Sequence, residues 1–284
     1  LLPVRRHLYE SIVSDGRDRG KECTMKLAFF GGVYNNYLAL EAAIADARCR
    51  DAQELFCLGD MGAFGPHPDR VFPLLVEADV SCVQGNYDES IGNELPDCQC
   101  GYTDPRDNHF ARLSYDYTLE HTSYDNRRWL QGLPPAIDRQ HEGLGLHLCH
   151  GSPRRTNEFL WESTTSDAFL DRLISETGSD LVLGTHSGLH WQRRTKQGRT
   201  FVNVGVLGRP ANDGRTNVWY TLLEIQSDGT FAVEFVPVEY DHRRLASEMR
   251  QEGLPGEFIE TIESGWWTTC LEVLPARERR RGRY

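Results

Sequence analysis

A short apolar run that stops abruptly in front of a carboxylate constrains this sequence more than any other feature. Residues 55–58 (Leu-Phe-Cys-Leu) are followed by Gly59 and Asp60, and Gly65 and Pro66 then suit a tight loop. Open α/β sheets bind ligands at the carboxyl ends of their strands, which is where Asp60 would lie. Because an unpaired charge at the end of a buried strand is costly, Asp60 needs a partner, and a metal cation is the simplest one.

The same arrangement of strand, loop and helix recurs along the chain. Apolar runs at 26–30, 54–58 and 80–83 predict strands, and periodic segments at 37–47 and 68–77 predict helices. Further strands are predicted at 144–148, 181–183, 200–204, 217–225 and 230–236, with a hairpin turn at Ser227-Asp228-Gly229. Short connections between such units are typical of a largely parallel sheet whose loops gather at one end.

One segment, 93–139, interrupts this rhythm and is predicted to be a helical insertion that covers the loops. Helices are predicted at 105–117, 123–130, 168–176, 240–251 and 256–264. We therefore predict an N-terminal extension at 1–24, a single domain at 25–238 that contains the insertion, and C-terminal helices with a basic tail at 239–284.

Four of the predicted strands are followed by a side chain that can bind a metal. These side chains are Asp60, Asn86, His150 and His186. Taken singly, each has a simpler interpretation, because Asp and Asn are common in turns and a His after a strand more often makes a loop hydrogen bond. Four in the same topological position favour metal binding, and this mixture of oxygen and imidazole donors suits Mn²⁺, Fe²⁺ or Zn²⁺.

At these positions the chain resembles the calcineurin-like metallophosphoesterase family, particularly its small bacterial branch. The matching segments are Gly59-Asp60 with Gly65-Pro66, Gly85-Asn86 with Asp88, His150-Gly151-Ser152-Pro153-Arg154, and Asn203-Val204-Gly205 followed by Gly208-Arg209-Pro210. The similarity runs from about residue 26 to residue 237. It implies an α/β fold in four layers, an α/β/β/α sandwich of two mixed sheets, with a metal centre at the strand ends. It also implies that a metal-activated water attacks phosphorus in line.

This sequence departs from the family's pattern at the ligands of one of its two metals. Where the family has Asp-x-His in its first loop, this chain has Gly32 and Tyr34, and Gly188 replaces the second His of the family's Gly-His-x-His loop. The resemblance thus implies that the four ligands of the other metal survive. Tyr34, as a phenolate on a trivalent iron, and His190 are candidates to rebuild the second site. The alternatives are an aromatic side chain packed into the vacated space and a histidine outside the ligand shell.

Two further residues are candidates for contacts with a substrate, and a third is predicted to orient the loops around it. Arg154, in preference to Arg155, is predicted to bind phosphate through its guanidinium group. Tyr87 occupies the position of the family's third-loop His and is predicted to hydrogen-bond the substrate, because a phenol with a pKa of about 10 is a poor proton donor at neutral pH. Asp88 is predicted to orient loops.

The composition limits the partners and the compartment. A net charge of −11 argues against a nucleic-acid binder, whose affinity would come from basic residues. Eight cysteines without the density of a disulfide framework indicate a reducing, cytoplasmic location, with Cys98 and Cys100 as two reduced thiols. No stretch approaches ~18 consecutive apolar residues, so no membrane span is predicted. Nothing in the sequence specifies the oligomeric state.

Two functions compete at this point. One is a metal-dependent phosphoesterase that acts on a small phosphomonoester or phosphodiester with an altered metal centre. The other is a non-catalytic family member that binds metal or a phosphorylated ligand as a sensor or partner protein. The four retained ligands and the Arg154-Arg155 pair favour hydrolysis, whereas the loss of the first loop's Asp and His favours the sensor.

Overall fold

The computed structural model describes residues 24–280. Within that range the chain forms ten strands: β1 (Met25–Phe30), β2 (Glu54–Cys57), β3 (Val80–Cys82), β4 (Ala136–His141), β5 (Leu144–Cys149), β6 (Leu181–Gly184), β7 (Trp191–Arg194), β8 (Thr200–Asn203), β9 (Val218–Ile225) and β10 (Phe231–Val238). The described residues also form eight α-helices: α1 (Tyr37–Cys49), α2 (Val71–Glu77), α3 (Asn86–Gly92), α4 (Pro105–His121), α5 (Tyr124–Gln131), α6 (Asp167–Thr177), α7 (His242–Gln251) and α8 (Gly256–Ser264). The predicted N-terminal extension, apart from Thr24, and the last four residues of the basic tail lie outside the described range.

The strands form two mixed sheets of five strands each. In the first sheet the order is β10-β9-β1-β2-β3, with parallel pairing among β1, β2 and β3 and antiparallel pairing through β9 and β10. In the second sheet the order is β4-β5-β6-β8-β7, with parallel central strands and an antiparallel strand at each edge. The predicted hairpin turn joins β9 to β10, where Gly229 has φ +79° and its N–H donates to the carbonyl of Gln226 at 2.9 Å.

Alternate side chains of the central strands enter different layers. On β1, Leu27 and Phe29 point between the sheets, whereas Ala28 and Phe30 face the helices on the outer side of the first sheet. Side chains of β5, β6 and β8 complete the layer between the sheets, where Phe29 stacks on Phe56 with ring centroids 5.2 Å apart. The outer face of the second sheet packs on α6. The predicted four-layer α/β/β/α sandwich is therefore confirmed.

Helix boundaries follow capping chemistry that can be read in the sequence. The Asn36 side chain accepts from the N–H of Ala39 at 3.1 Å and caps α1, and it also donates to the carbonyl of Leu207 at 3.0 Å. Asp104 caps α4 and is followed by Pro105 in the first turn. Proline is tolerated there because a backbone N–H in the first turn has no acceptor within the helix. The second contact of Asn36 joins the loop after β1 to the loop after β8, so the cap also positions two loops at the same end of the molecule.

The predicted helical insertion ends before residue 139. Helices α4 and α5 form its helical part, but β4 then adds to the edge of the second sheet, antiparallel to β5. Its sequence, AIDRQH, is largely polar because an edge strand exposes one face and carries charges that prevent further pairing. The opposite edge strand, β7, reads WQRR for the same reason. Within residues 24–280 the longest helix, α4, has 17 residues, and none of the helices has the length and apolar character needed to cross a membrane.

Candidate metal centre

Asp60 follows β2 and depends on an unusual backbone turn. Gly59 has φ +90° and Asp60 has φ +58°, and a Cβ on Gly59 would lie 2.5 Å from the backbone nitrogen of Gly85. This close approach requires glycine at position 59. It brings the loop after β2 against the start of α3, where the N–H of Tyr87 donates to Asp60 Oδ1 at 3.0 Å.

A second carboxylate, Asp88, joins the same two loops. It accepts hydrogen bonds from the backbone N–H groups of Asp60 at 2.7 Å, Met61 at 2.9 Å and Gly85 at 2.7 Å. Burial raises the pKa of Asp88 to about 7, and the neighbouring Asp60 carboxylate adds to the rise. The predicted loop-orienting role of Asp88 fits these contacts, since its oxygens are occupied by backbone donors.

Asp60, His150 and His186 bring their ligand atoms together in the buried interior. One donor atom from each residue lies within 4.8 Å of the other two. His150 Nε2 is 3.2 Å from Asp60 Oδ2 and 3.1 Å from His186 Nδ1. His150 Nδ1 lies 2.6 Å from the carbonyl oxygen of Leu58, which can only accept, so Nδ1 carries a proton and Nε2 is the nitrogen that faces the cluster. Fixing an imidazole through its other nitrogen is how metal-binding histidines are commonly oriented.

Asn86 supplies the observation that best fits a bound cation. It is fully buried at the start of α3, between Gly85 and Tyr87, both of which contact Asp60. Its Nδ2 donates to the carbonyl of Cys98 at 2.8 Å, whereas its buried Oδ1 has no hydrogen-bond partner among the described residues. Because an unsatisfied buried oxygen is rare, an oxygen left free on the residue that precedes Tyr87, whose N–H binds Asp60, fits a fourth metal ligand.

The charges of the cluster are strongly coupled. Burial alone would raise the pKa of Asp60, but His150 and His186 lower it overall. Burial acts to lower the pKa of His150, yet the Asp60 carboxylate raises it overall. Burial and the positive charge of His150 lower the pKa of His186 to about 3, so this imidazole is neutral at physiological pH. A carboxylate and a neutral imidazole are the forms that bind metals.

A narrow pocket opens beside the cluster. It has a volume of about 40 Å³, enough for a few water molecules or a small oxyanion. Asp60 and His186 lie at one side, aromatic rings including Tyr34, Phe64 and Tyr87 form much of the wall, and Arg209 contributes a buried guanidinium. The pocket therefore combines an apolar wall with one cationic side chain, next to the candidate ligands.

The positions where the resemblance implies a second metal hold no comparable set of ligands. Within the described residues, Asp60, His150 and His186 are the only cluster of three metal-competent His, Cys, Asp or Glu side chains. Tyr34 has φ +51°, and its ring lies so close to Gly32 and Gly208 that a Cβ on either glycine would be 2.3 Å from it. Burial and the Asp60 charge raise the pKa of Tyr34, which favours a protonated phenol over a phenolate ligand. These contacts support the packing interpretation of Tyr34.

A comparison with protein families agrees with this geometry. The family model described as the calcineurin-like phosphoesterase superfamily domain matches residues 25–228. The chain belongs to that superfamily. Membership confirms the predicted resemblance and is consistent with phosphoester hydrolysis.

Three proteins that are similar to this superfamily member share less than a quarter of their residues with it. In sequence it is similar to an uncharacterised protein of Methanocaldococcus jannaschii, with 24% identity over 244 residues, which span 81% of this chain and 93% of that protein. In structure it is similar to a metallophosphoesterase from Sphaerobacter thermophilus, with 23% identity and a TM-score of 0.66. It is also similar to a hypothetical protein from Pyrococcus horikoshii, with 20% identity and a TM-score of 0.71. Both structural matches cover 86% of this chain and 100% of the other, and they establish the shared fold.

In this superfamily member, His190 does not reach the metal centre. Its ring packs between Trp219 and Phe235, with centroid distances of 4.4 and 4.8 Å, and burial lowers its pKa to about 4. Gly188 has φ +80°, which turns the chain between His186 and His190. The expectation of His190 as a ligand of a second metal is therefore corrected in favour of a histidine outside the ligand shell.

Arg154 is also directed away from the pocket. Its guanidinium pairs with Glu158 four residues later, with Nε 2.9 Å from Oε2, and stacks over Phe169 at 4.7 Å from the ring centroid. The side chain is 41% exposed, and the pocket beside Asp60 is lined instead by Arg209. This corrects the expectation that Arg154 binds phosphate, because its charge is already compensated at the surface.

Tyr87 does line the pocket, but through its ring. Its hydroxyl is 3.1 Å from Ser114 Oγ and 3.3 Å from the carbonyl of Ala111, both on α4. Burial and the Asp60 charge raise its pKa, so it stays protonated. The hydroxyl therefore anchors α4 over the site, and the expected hydrogen bond from Tyr87 to a substrate would require it to leave these partners.

The structure joins Cys98 and Cys100 in a disulfide, with Cα atoms 5.3 Å apart. The expectation of two reduced thiols is thus wrong at this position, because Gln99, at φ +51°, folds the chain back so that the two sulfurs meet. The loop matters for the site because the Cys98 carbonyl holds the Asn86 amide.

Proposed function

We propose that this chain hydrolyses small phosphorylated compounds with one divalent cation bound by Asp60, Asn86, His150 and His186. The supporting observation is the convergence of three donor atoms within 4.8 Å, together with the buried Asn86 oxygen that lacks a partner among the described residues. A first-row cation such as Mn²⁺, Fe²⁺ or Zn²⁺ would polarise a phosphoryl oxygen there and lower the pKa of a bound water.

The protein's own groups would orient and enclose the reaction. The Leu58 carbonyl fixes the His150 tautomer, and Asp88 holds the loops that carry Asp60 and Asn86. The aromatic wall of the pocket limits water around the phosphoryl group, which strengthens the electrostatic interactions made inside. A pocket of about 40 Å³ admits a phosphoryl group but requires the rest of any substrate to lie outside or to displace the wall.

A metal count combined with an assay tests the proposal. Purified protein is analysed for bound metal, titrated with Mn²⁺ by calorimetry, and assayed with p-nitrophenyl phosphate and bis-p-nitrophenyl phosphate as a monoester and a diester. We expect Asp60→Asn and His150→Ala to lose metal and to reduce kcat/KM by about 100-fold or more. His190→Ala is the matched control, because it removes a histidine from the same loop as His186 and should retain metal and turnover.

A second function is supported by the residues at positions 32, 34 and 188. Because Gly32, Tyr34 and Gly188 offer no replacement ligand set, the chain would be left with a single cation, which fits a protein that binds a phosphorylated ligand without hydrolysing it. The sensor would be favoured over the hydrolase if the wild type binds metal but shows no Asp60-dependent turnover of either ester, that is, no turnover beyond what Asp60→Asn also shows.

A further inference from the structure

Arg209 is a buried cation without an anionic partner. The residue is 7% exposed, and its Nε has no hydrogen-bond partner among the described residues. The groups that act most strongly on its guanidinium are the Cys270 thiol and the hydroxyls of Tyr34 and Tyr102, none of which is a carboxylate. Since burying an uncompensated charge is strongly unfavourable, an anion is expected to bind there.

The guanidinium is held in place by stacking. Its central carbon lies 3.5 Å from the ring centroid of Trp267 and 6.0 Å from the rings of Tyr34 and Phe64. Trp267 is itself fixed, because its Nε1 donates to the carbonyl of Pro210 at 2.6 Å and its backbone N–H donates to Asn212 Oδ1 at 2.9 Å. Stacking stabilises the charge through the ring face, so the in-plane N–H groups that are not bonded to the Cys270 thiol can donate to an oxyanion.

The fixed guanidinium faces the candidate metal centre. Arg209 lines the same pocket as Asp60 and His186, and a Cβ placed on Gly188, two residues after His186, would lie 3.7 Å from Arg209 Nη2. The Arg209 charge also acts on Asp107 of α4, where it opposes the rise that burial causes in the pKa of that carboxyl. The two side chains nevertheless form no ion pair among the described residues, and Asp107 Oδ2 accepts instead from the N–H of Val273 at 3.0 Å.

We infer that Arg209 binds an oxyanion in this pocket, beside the metal centre, and that the anion is the phosphoryl group of the substrate. The phosphoryl identity rests on the proposed function, whereas the anion site rests on the buried guanidinium itself. A planar fork of N–H donors matches two oxygens of a tetrahedral anion, and the pocket volume admits a group of that size.

The same charge has a consequence for metal content. Arg209 borders Tyr34 and Gly188, two of the positions where the resemblance implies ligands of a second metal. A fixed positive charge there repels another cation in a low-dielectric pocket. The guanidinium therefore opposes a second cation at these positions, and we expect the chain to bind one ion rather than two.

Phosphate binding by the metal-free protein tests the anion site without relying on activity. EDTA-treated wild type, Arg209→Met and Arg209→Lys are titrated with inorganic phosphate by calorimetry, and thermal unfolding verifies that each variant is folded. We expect wild type to bind phosphate at millimolar concentrations, Arg209→Met to weaken binding about tenfold or more, and Arg209→Lys to fall between them because it keeps the charge but loses the fork. Arg154→Met is the matched control, since it removes an exposed arginine already paired with Glu158, and it should bind phosphate like the wild type.

The outcomes separate this inference from the proposed function. Equal phosphate affinity in folded Arg209→Met and wild type, or no phosphate binding by wild type with or without Mn²⁺, overturns the anion site. Two Mn²⁺ ions per wild-type chain overturn the second part of the inference. Phosphate binding that depends on Arg209, in a protein with no turnover of either ester, supports the anion site while removing the hydrolase. If Arg209→Met does not fold, the test rests on Arg209→Lys. This variant lacks the planar set of guanidinium donors, so it should still bind phosphate more weakly than the Arg154→Met control.

Discussion

The side-chain amide of Asn86 uses only one of its two polar atoms in a hydrogen bond to the described residues. Its nitrogen is held by the Cys98 carbonyl, so its oxygen is directed rather than mobile, and that oxygen has no partner among the described residues. A buried oxygen without a partner costs free energy, and a cation bound to that oxygen would remove the cost.

Replacing Asn86 with Leu, which has a similar volume and no oxygen, should weaken Mn²⁺ binding by about 10- to 100-fold. Calorimetric titration of metal-free protein measures the change. Asn93→Leu is the control, because Asn93 is the exposed residue that follows the same helix, and its affinity for Mn²⁺ should not change. Unaltered affinity in Asn86→Leu would remove Asn86 from the ligand set.

His190 makes the stability of the protein sensitive to pH. Its pKa in the folded state is about 4, below the ordinary value of 6.5, because its ring is largely buried between Trp219 and Phe235. Between pH 6.5 and pH 4, His190 therefore binds a proton in the unfolded chain but not in the folded chain. The contribution of the neutral His190 to the free energy of unfolding is thus complete above pH 6.5 and is lost as the pH falls toward 4.

Between about pH 7.5 and pH 5 the wild type should lose about 2 kcal/mol more unfolding free energy than His190→Gln, which cannot titrate. Urea unfolding of the metal-free proteins at both pH values measures the difference. Parallel losses in the two proteins would show that His190 titrates normally in the folded state.

Residue identity could be predicted from the sequence, but side-chain direction could not. The sequence predicts the candidate ligands because each of them follows closely on a buried strand, and the ends of such strands converge in this topology. These residues are Asp60, Asn86, His150 and His186. His190 and Arg154 have the right chemistry but turn away, one at a glycine with positive φ and the other toward Glu158. Arg209 lies in the Gly208-Arg209-Pro210 segment that matches the family, but its burial depends on Trp267, which lies far along the chain.

At the scale of secondary structure, every strand of the first sheet and the central strands of the second follow from the sequence, whereas the two edge strands of the second sheet do not. Central strands read as apolar runs because both faces are covered, whereas β4 and β7 carry charges on an exposed face. Helix α3 begins at Asn86 itself, directly after the Gly85 turn, so its short polar sequence resembles a loop. The loop after β2 and this helix act as one unit, since Asp88 on α3 binds backbone groups of both.

Asp88→Ala should lower the unfolding free energy by about 3 kcal/mol, because it leaves three buried N–H groups without an acceptor. It should also weaken Mn²⁺ binding, since the loops carrying Asp60 and Asn86 lose their common anchor. Urea unfolding and calorimetry measure the two effects. Glu89→Ala changes an exposed carboxylate on the same helix and should alter neither by much. A stability for Asp88→Ala equal to that of Glu89→Ala would contradict the anchoring role.

For the molecule as a whole, the pocket extends beyond the segment that identifies the superfamily. The family match ends at residue 228, yet Phe258, Thr269 and Cys270 line the pocket, and Trp267 holds Arg209. The C-terminal segment therefore lines part of the pocket, while the matched segment carries the candidate metal ligands. Substrate preference is expected to follow the C-terminal part of the chain more than the shared fold.

Metal binding should stabilise the whole domain. Mn²⁺ at about 100 times its dissociation constant adds about 2.7 kcal/mol to the unfolding free energy, which raises Tm by about 5 °C. Thermal unfolding with Mn²⁺ and with EDTA measures the shift, and Ca²⁺ should produce much less because it prefers oxygen ligands. Asp60→Asn should abolish the shift, and a shift of the same size in that variant would place the cation elsewhere.

The four candidate ligands are divided equally between the sheets, since Asp60 and Asn86 follow strands of the first sheet and His150 and His186 follow strands of the second. A cation held by all four would thus be a further cross-link between two halves that already share hydrogen bonds at this end, such as that between His150 Nδ1 and the Leu58 carbonyl. Withdrawing it would let the halves part, and amide protons of β2 and β5 would then exchange with solvent faster than those of α6, which lies outside the cross-link.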